Sequence, residues 1–140
     1  MTFAGVNYVA VLAAAVVSFI FGGLWYHLFS GAWLEAARLT EGPRGASGRP
    51  SAVPLIVAFI AQVVMAYVLA GTIAHIGIMT PRAGLIAGAF VWAGFVMTSM
   101  VVNHSFQGAS HILTLIDGGH WLGVLLIQGA IIGWLGVPQG

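Results

Sequence analysis

Four stretches of this chain, at about residues 3–29, 53–78, 83–103 and 119–137, are each long and apolar enough to cross a lipid bilayer. A membrane-crossing helix takes about 20 mostly apolar residues. Inside hydrocarbon every backbone N–H and C=O must bond within the protein, so a lipid-exposed span is a helix or part of a closed barrel. Barrel strands would be short and alternate in polarity, and no such segments occur here. The expected fold is therefore all-α: an integral membrane bundle of four transmembrane helices, forming a single domain over residues 1–140. Charge agrees, since 5% of the residues are charged and 60% are hydrophobic. A soluble domain carries about a quarter charged residues.

The first apolar stretch has no basic segment ahead of it and is longer than the core of a signal peptide, so it is read as a retained helix. The loop at 30–52 holds Glu35, Arg38, Glu41, Arg44 and Arg49. Its Gly- and Pro-rich middle reads as flexible. A tight turn, Met79 to Arg82, follows the second stretch, and Pro81 suits a first helical turn. The segment from His104 to Gly118 carries no Lys or Arg and reads as a third loop, with 111–116 apolar enough to lie in the interface or dip into the bundle. Arginine distribution places the first and third loops in the cytoplasm and both termini outside.

In lipid, helices associate by close approach at small residues and by polar pairs. The small residues recur at four-residue spacing. Ala10, Ala14, Ser18 and Gly22 form one row, and Ala66 and Ala70 belong to a second. Gly84 and Gly88 form a third, and Gly129 and Gly133 a fourth. These are read as helix-packing positions rather than as the lining of a pore. Gln62 and Gln128 fall near mid-depth, where they are expected to bond each other, and Asn103 joins them as an intramembrane polar residue. No Asp, Glu, Lys or Arg falls at mid-depth, which argues against a proton-coupled pump.

Cysteine and lysine are both absent. That removes disulfides, thiolate metal sites, Schiff-base chemistry and the P-loop lysine. A net charge of +1 is too small to argue for nucleic acid. The one polar constellation lies on the side of the first and third loops: His27, His104, His111, Asp117 and His120. Imidazole and carboxylate groups suit a transition metal, and a haem is a further alternative. No tight ligand motif such as His-Glu-x-x-His supports it. The plainer reading puts these histidines at headgroup level and makes Asp117 a first-turn acid of the fourth helix. Ser105 and Ser110 lie near histidines without any nucleophile motif, so no catalytic residue is expected.

Three runs carry a family resemblance. They are Val6-Asn7-Tyr8-Val9-Ala10-Val11, then Gly22-Gly23-Leu24-Trp25-Tyr26-His27-Leu28-Phe29-Ser30-Gly31-Ala32-Trp33, and Leu115-Ile116-Asp117-Gly118-Gly119-His120 with Gly129-Ala130-Ile131-Ile132-Gly133. The chain resembles the bacterial family catalogued as domain of unknown function 1761, small inner-membrane proteins of about four helices. The resemblance implies fold and location but no activity. It also leads one to expect a more basic third loop than this chain has.

The functional expectation is a non-enzymatic membrane protein, an oligomeric scaffold or an accessory subunit of a larger complex, with the bilayer, further copies or other membrane subunits as its partners. The alternatives are an oligomeric small-solute channel lined by Gln62, Gln128 and Asn103, and the metal- or haem-binding protein.

Overall fold

The computed structural model describes residues 2–3, 6–39 and 51–136. The arginines at 44 and 49, Glu41 and the chain beyond Gly136 lie outside the described residues, as does the flexible middle expected of the first loop. Two short antiparallel strands, β1 (Thr2–Phe3) and β2 (Val6–Asn7), precede α1 (Tyr8–Leu28). A short helix, α2 (Ser30–Ala36), follows. Then come α3 (Val53–Ile76), α4 (Pro81–Gln107) and α5 (His111–Leu135). The fold is all-α in its spans, and α1, α3, α4 and α5 are each long and apolar enough to cross a membrane.

Local chemistry sets the ends of the helices. Asn7 caps α1, its Oδ1 accepting from the N–H groups of Val9 and Ala10 at 3.0 and 3.4 Å. Its Nδ2 donates to the Leu135 carbonyl at 2.9 Å. One side chain thus satisfies orphan groups at the start of α1 and the end of α5. Gly77 ends α3 and Gly108 ends α4, both in the left-handed conformation that favours glycine. Thr80 caps α4 ahead of Pro81.

Several boundaries differ from the sequence reading: α1 starts at Tyr8 and not near residue 3, because Thr2–Phe3 and Val6–Asn7 pair as strands and Asn7 caps the helix, and the expected loop 30–52 opens with α2. Helix α4 runs to Gln107, and α5 starts at His111 with Ser110 as its cap. Ser110 Oγ accepts from the Ile112 N–H at 3.2 Å. The third loop is thus a brief turn rather than the segment 104–118, and Asp117 lies inside α5 instead of in its first turn. The Gly118-Gly119 pair resembles a helix break in sequence. In the fold it lets side chains of α4 and α1 press on the α5 backbone: a Cβ at Gly118 would meet Met97 Sδ at 2.8 Å, and one at Gly119 would meet Trp25 Cζ2 at 2.9 Å. Within α4, residues Trp92–Met97 widen into a π-helical stretch, the rare i→i+5 form that occurs as short bulges inside α-helices.

Helix α5 is the hub. In its most apolar stretch 44% of residues are buried, against 6% in α4. Helices α1, α3 and α4 all pack on it. Gly84, Gly88, Gly129 and Gly133 are buried where α4 meets α5. A Cβ on Gly84 would collide with the Gly129 carbonyl, and one on Gly88 would stand 2.5 Å from the Leu125 carbonyl oxygen. Ala10, Ala14, Ser18 and Gly22 of α1 are buried, as are Ala66 and Ala70 of α3. Large apolar side chains cover the outside, among them Leu24, Val68 and Phe90. For a chain in hydrocarbon that surface is the expected one, and the molecule is a multi-pass membrane protein.

Candidate functional site

At mid-depth the polar side chains form a closed knot. Ser18 Oγ lies 2.8 Å from Gln62 Oε1, to which it donates, and accepts from Gln128 Nε2 at 3.0 Å. Gln128 Nε2 also donates to the backbone carbonyl of Gln62 at 3.0 Å. The two glutamines are therefore joined through Ser18 and the α3 backbone rather than amide to amide. All three are buried, with Gln62 at 2% and the others at 0% exposure. The knot pins α1, α3 and α5 together. Gln128 Oε1 stays buried without a partner among the described residues. Asn103 does not join them: it is exposed on the outer side of α4. Thr98 and Ser99 bond back to carbonyls of their own helix.

Toward the α1 C-terminus an aromatic and polar belt gathers around the first half of α5. Asp117 Oδ1 accepts from Tyr26 Oη at 2.7 Å and from Trp33 Nε1 at 3.1 Å, tying α2 and the end of α1 to α5. Trp25 Nε1 donates to the Ile116 carbonyl at 3.1 Å, and Trp92 Nε1 to the Gly118 carbonyl at 2.8 Å. His104 Nδ1 lies 2.7 Å from Thr114 Oγ1.

His120 is the exception in this belt. It is 4% exposed, and its Nδ1 is buried with no hydrogen-bond partner among the described residues. Its ring centre stands 4.8 Å from that of Tyr26 and 4.6 Å from that of Trp121. It lies on the wall of a cleft of about 510 Å³ between α1 and α3, together with Phe19, Gly22, Gly23, Tyr26 and Gln62.

The five residues suggested as metal ligands are not gathered. His27 and His111 are exposed, His104 is engaged with Thr114, Asp117 with Tyr26 and Trp33, and His120 is enclosed by rings. Among the described residues no three His, Asp or Glu side chains are placed to hold one ion. Ser105 bonds to the Val101 carbonyl, and Ser110 is a helix cap. The cleft, by contrast, had no signal in the sequence. Gly22 reads as packing, and only the fold sets it against His120 with Gly23 open beside it.

Four apolar helices, a sealed polar knot and an aromatic belt at one end define a small multi-pass membrane protein whose recognisable groups hold its helices together. Residues 9–133 match the family described as protein of unknown function (DUF1761), and the chain belongs to that family. No curated protein and no solved structure matches the chain.

Proposed function

We propose that this protein is an accessory subunit or oligomeric scaffold of the bacterial inner membrane, with both termini outside and the first and third loops in the cytoplasm. The observation that carries the reading is the knot of Ser18, Gln62 and Gln128. These mid-depth polar groups, at most 2% exposed, are spent on joining three helices. A conduit through one chain would need polar groups lining a path, and here they close the centre instead. The orientation rests on Arg38 and its neighbours in the first loop, set against Arg82 alone at the other end. Helix α4 supports a partnered role. It packs chiefly on α5 and turns Phe90, Phe95 and Phe106 outward.

The test is native mass spectrometry of protein gently extracted from its own membrane. Foreign subunits in fixed ratio, or a defined homo-oligomer, are the expected result. A bare monomer under mild extraction, together with solute flux in proteoliposomes, would overturn this reading in favour of a channel.

A further inference from the structure

We propose that the cleft between α1 and α3 binds a neutral, bilayer-dissolved molecule of the quinone class, its ring held among Phe19, Tyr26 and Trp121 and a ring oxygen accepting a hydrogen bond from His120. The cleft measures about 510 Å³, within the range of small-molecule sites, about 300–1,000 Å³. It runs from Leu55 near the start of α3 to Gln62, seven residues or about 10 Å deeper. Leu55 is 60% exposed and Gly23 is exposed, so the mouth faces lipid and the occupant arrives through the bilayer.

The wall chemistry narrows the class. No charged side chain lines the cleft among the described residues, so an ionised head would be left unpaired in a dry site. Three aromatic rings favour a flat partner. His120 supplies the polar contact. Its Nε2 is aimed at the place where a side chain at Gly22 would begin: a Cβ there would lie 2.7 Å from Nε2, with Cδ2 and Cε1 farther off at 3.5 and 3.8 Å. Because residue 22 is glycine, the imidazole edge can pack against the α1 backbone there, which brings His120 into the cleft wall beside the open position at Gly23. The buried Nδ1 of His120 has no hydrogen-bond partner among the described residues, and a polar atom buried in this way calls for an explanation. Gln62 adds a second donor, since its Oε1 is engaged by Ser18 while its amide N–H groups are not engaged within the described residues. Two donors at the inner end of an apolar, aromatic slot match the carbonyl oxygen of a quinone. An acyl chain would leave both unused.

The experiment uses the full chain in phosphatidylcholine nanodiscs. Decylubiquinone is titrated while tryptophan emission is followed, with Trp121 in the cleft wall as reporter, and decylbenzene serves as the control that has ring and tail but no carbonyl. Saturable quenching by the quinone is expected, with binding at least tenfold weaker for His120→Phe and lost in Gly23→Leu, which fills the mouth. An azido-quinone photolabel on the unaltered protein should mark residues of α1 and α3 around Gly23 and Ala58, a readout independent of how the variants fold. Equal binding of decylbenzene would overturn the proposal and make the cleft a lipid groove. Non-saturable quenching, unchanged affinity in both variants, or labelling confined to α4 would overturn it as well.

Discussion

Gly84 and Gly22 sit on helices that both lean on α5, and both are buried, yet they do opposite things. At Gly84 the missing side chain is replaced by the backbone of Gly129, so α4 and α5 meet main chain to main chain. At Gly22 the facing group is the edge of an imidazole, and beside it Gly23 has nothing within 4 Å of where its Cβ would be. The first pair of glycines seats backbone on backbone, whereas Gly22 seats a ring edge and Gly23 leaves the space beside it open. A small residue in a membrane helix is therefore not a packing signal by itself. What it does depends on the residue across from it, and in this fold the difference separates a sealed seam from an open cleft.

The seam gives the largest expected effect. In Gly84→Leu the new side chain has no volume to enter, because the Gly129 backbone already occupies it. Overpacking of this kind costs about 3 kcal/mol or more. It should appear as a large fall in stability when the protein is unfolded by SDS from mixed micelles. A loss under about 1 kcal/mol would mean that α4 and α5 do not meet at these glycines, and the comparison would fail at its first term.

Next comes the knot that the two regions share. Gln128→Leu removes the bonds to Ser18 and to the Gln62 carbonyl, and an intramembrane hydrogen bond is worth on average about 0.6 and at most about 1.7 kcal/mol. A net loss of about 1 kcal/mol is expected, because the orphaned Gln128 Oε1 disappears along with the two good bonds. A double-mutant cycle with Ser18→Ala isolates the coupling. Zero coupling would leave the glutamines as independent core residues.

The aromatic belt should respond in a more local way. Asp117→Leu deletes the common acceptor of Tyr26 and Trp33. About 1 kcal/mol is expected, within the range for a typical hydrogen bond, because Asp117 is only partly buried. The emission of Trp33 should shift as α2 loosens, and Asp117→Asn, which keeps an acceptor oxygen, should recover most of it. If Asn behaves like Leu, the negative charge matters more than the acceptor geometry.

Much of this architecture is legible in the residues alone. The four spans follow from apolar length, and the rows containing Ala14, Ala66, Gly84 and Gly129 from four-residue spacing. What escaped has specific causes. The start of α5 is hard to read because His111, Thr114 and Asp117 interrupt its apolar run every third residue, and because Gly118-Gly119 resembles a break when its role is to admit Met97 and Trp25. The histidines looked like a set because the topology puts them at one end, but a shared level in the membrane does not bring side chains around one point. His120 drew notice as one histidine among several. Its lack of a partner is a property of its neighbours, which no spacing in the chain encodes.

The smallest effect is also the sharpest test of the comparison, because it turns on two adjacent residues. Glycine in a helix interior is less favourable than alanine by about 0.5–1 kcal/mol, chiefly through backbone entropy. At Gly23 a methyl group meets nothing within 4 Å, so Gly23→Ala should keep that gain and stabilise the protein by about 0.5 kcal/mol. At Gly22 the same methyl would stand 2.7 Å from His120 Nε2. The imidazole is flanked by Phe21, Tyr26 and Trp121, so it can yield only toward the cleft and at the cost of its ring contacts. Gly22→Ala should therefore lose stability by a similar amount, and it would also push the imidazole toward the cleft. Opposite signs at neighbouring positions, read from paired SDS titrations, are what a cleft walled by His120 requires. Equal gains at both would mean that the imidazole swings aside freely and that Gly22 is ordinary packing. Equal losses would mean that the space beside Gly23 is already filled, by a neighbouring chain or by lipid.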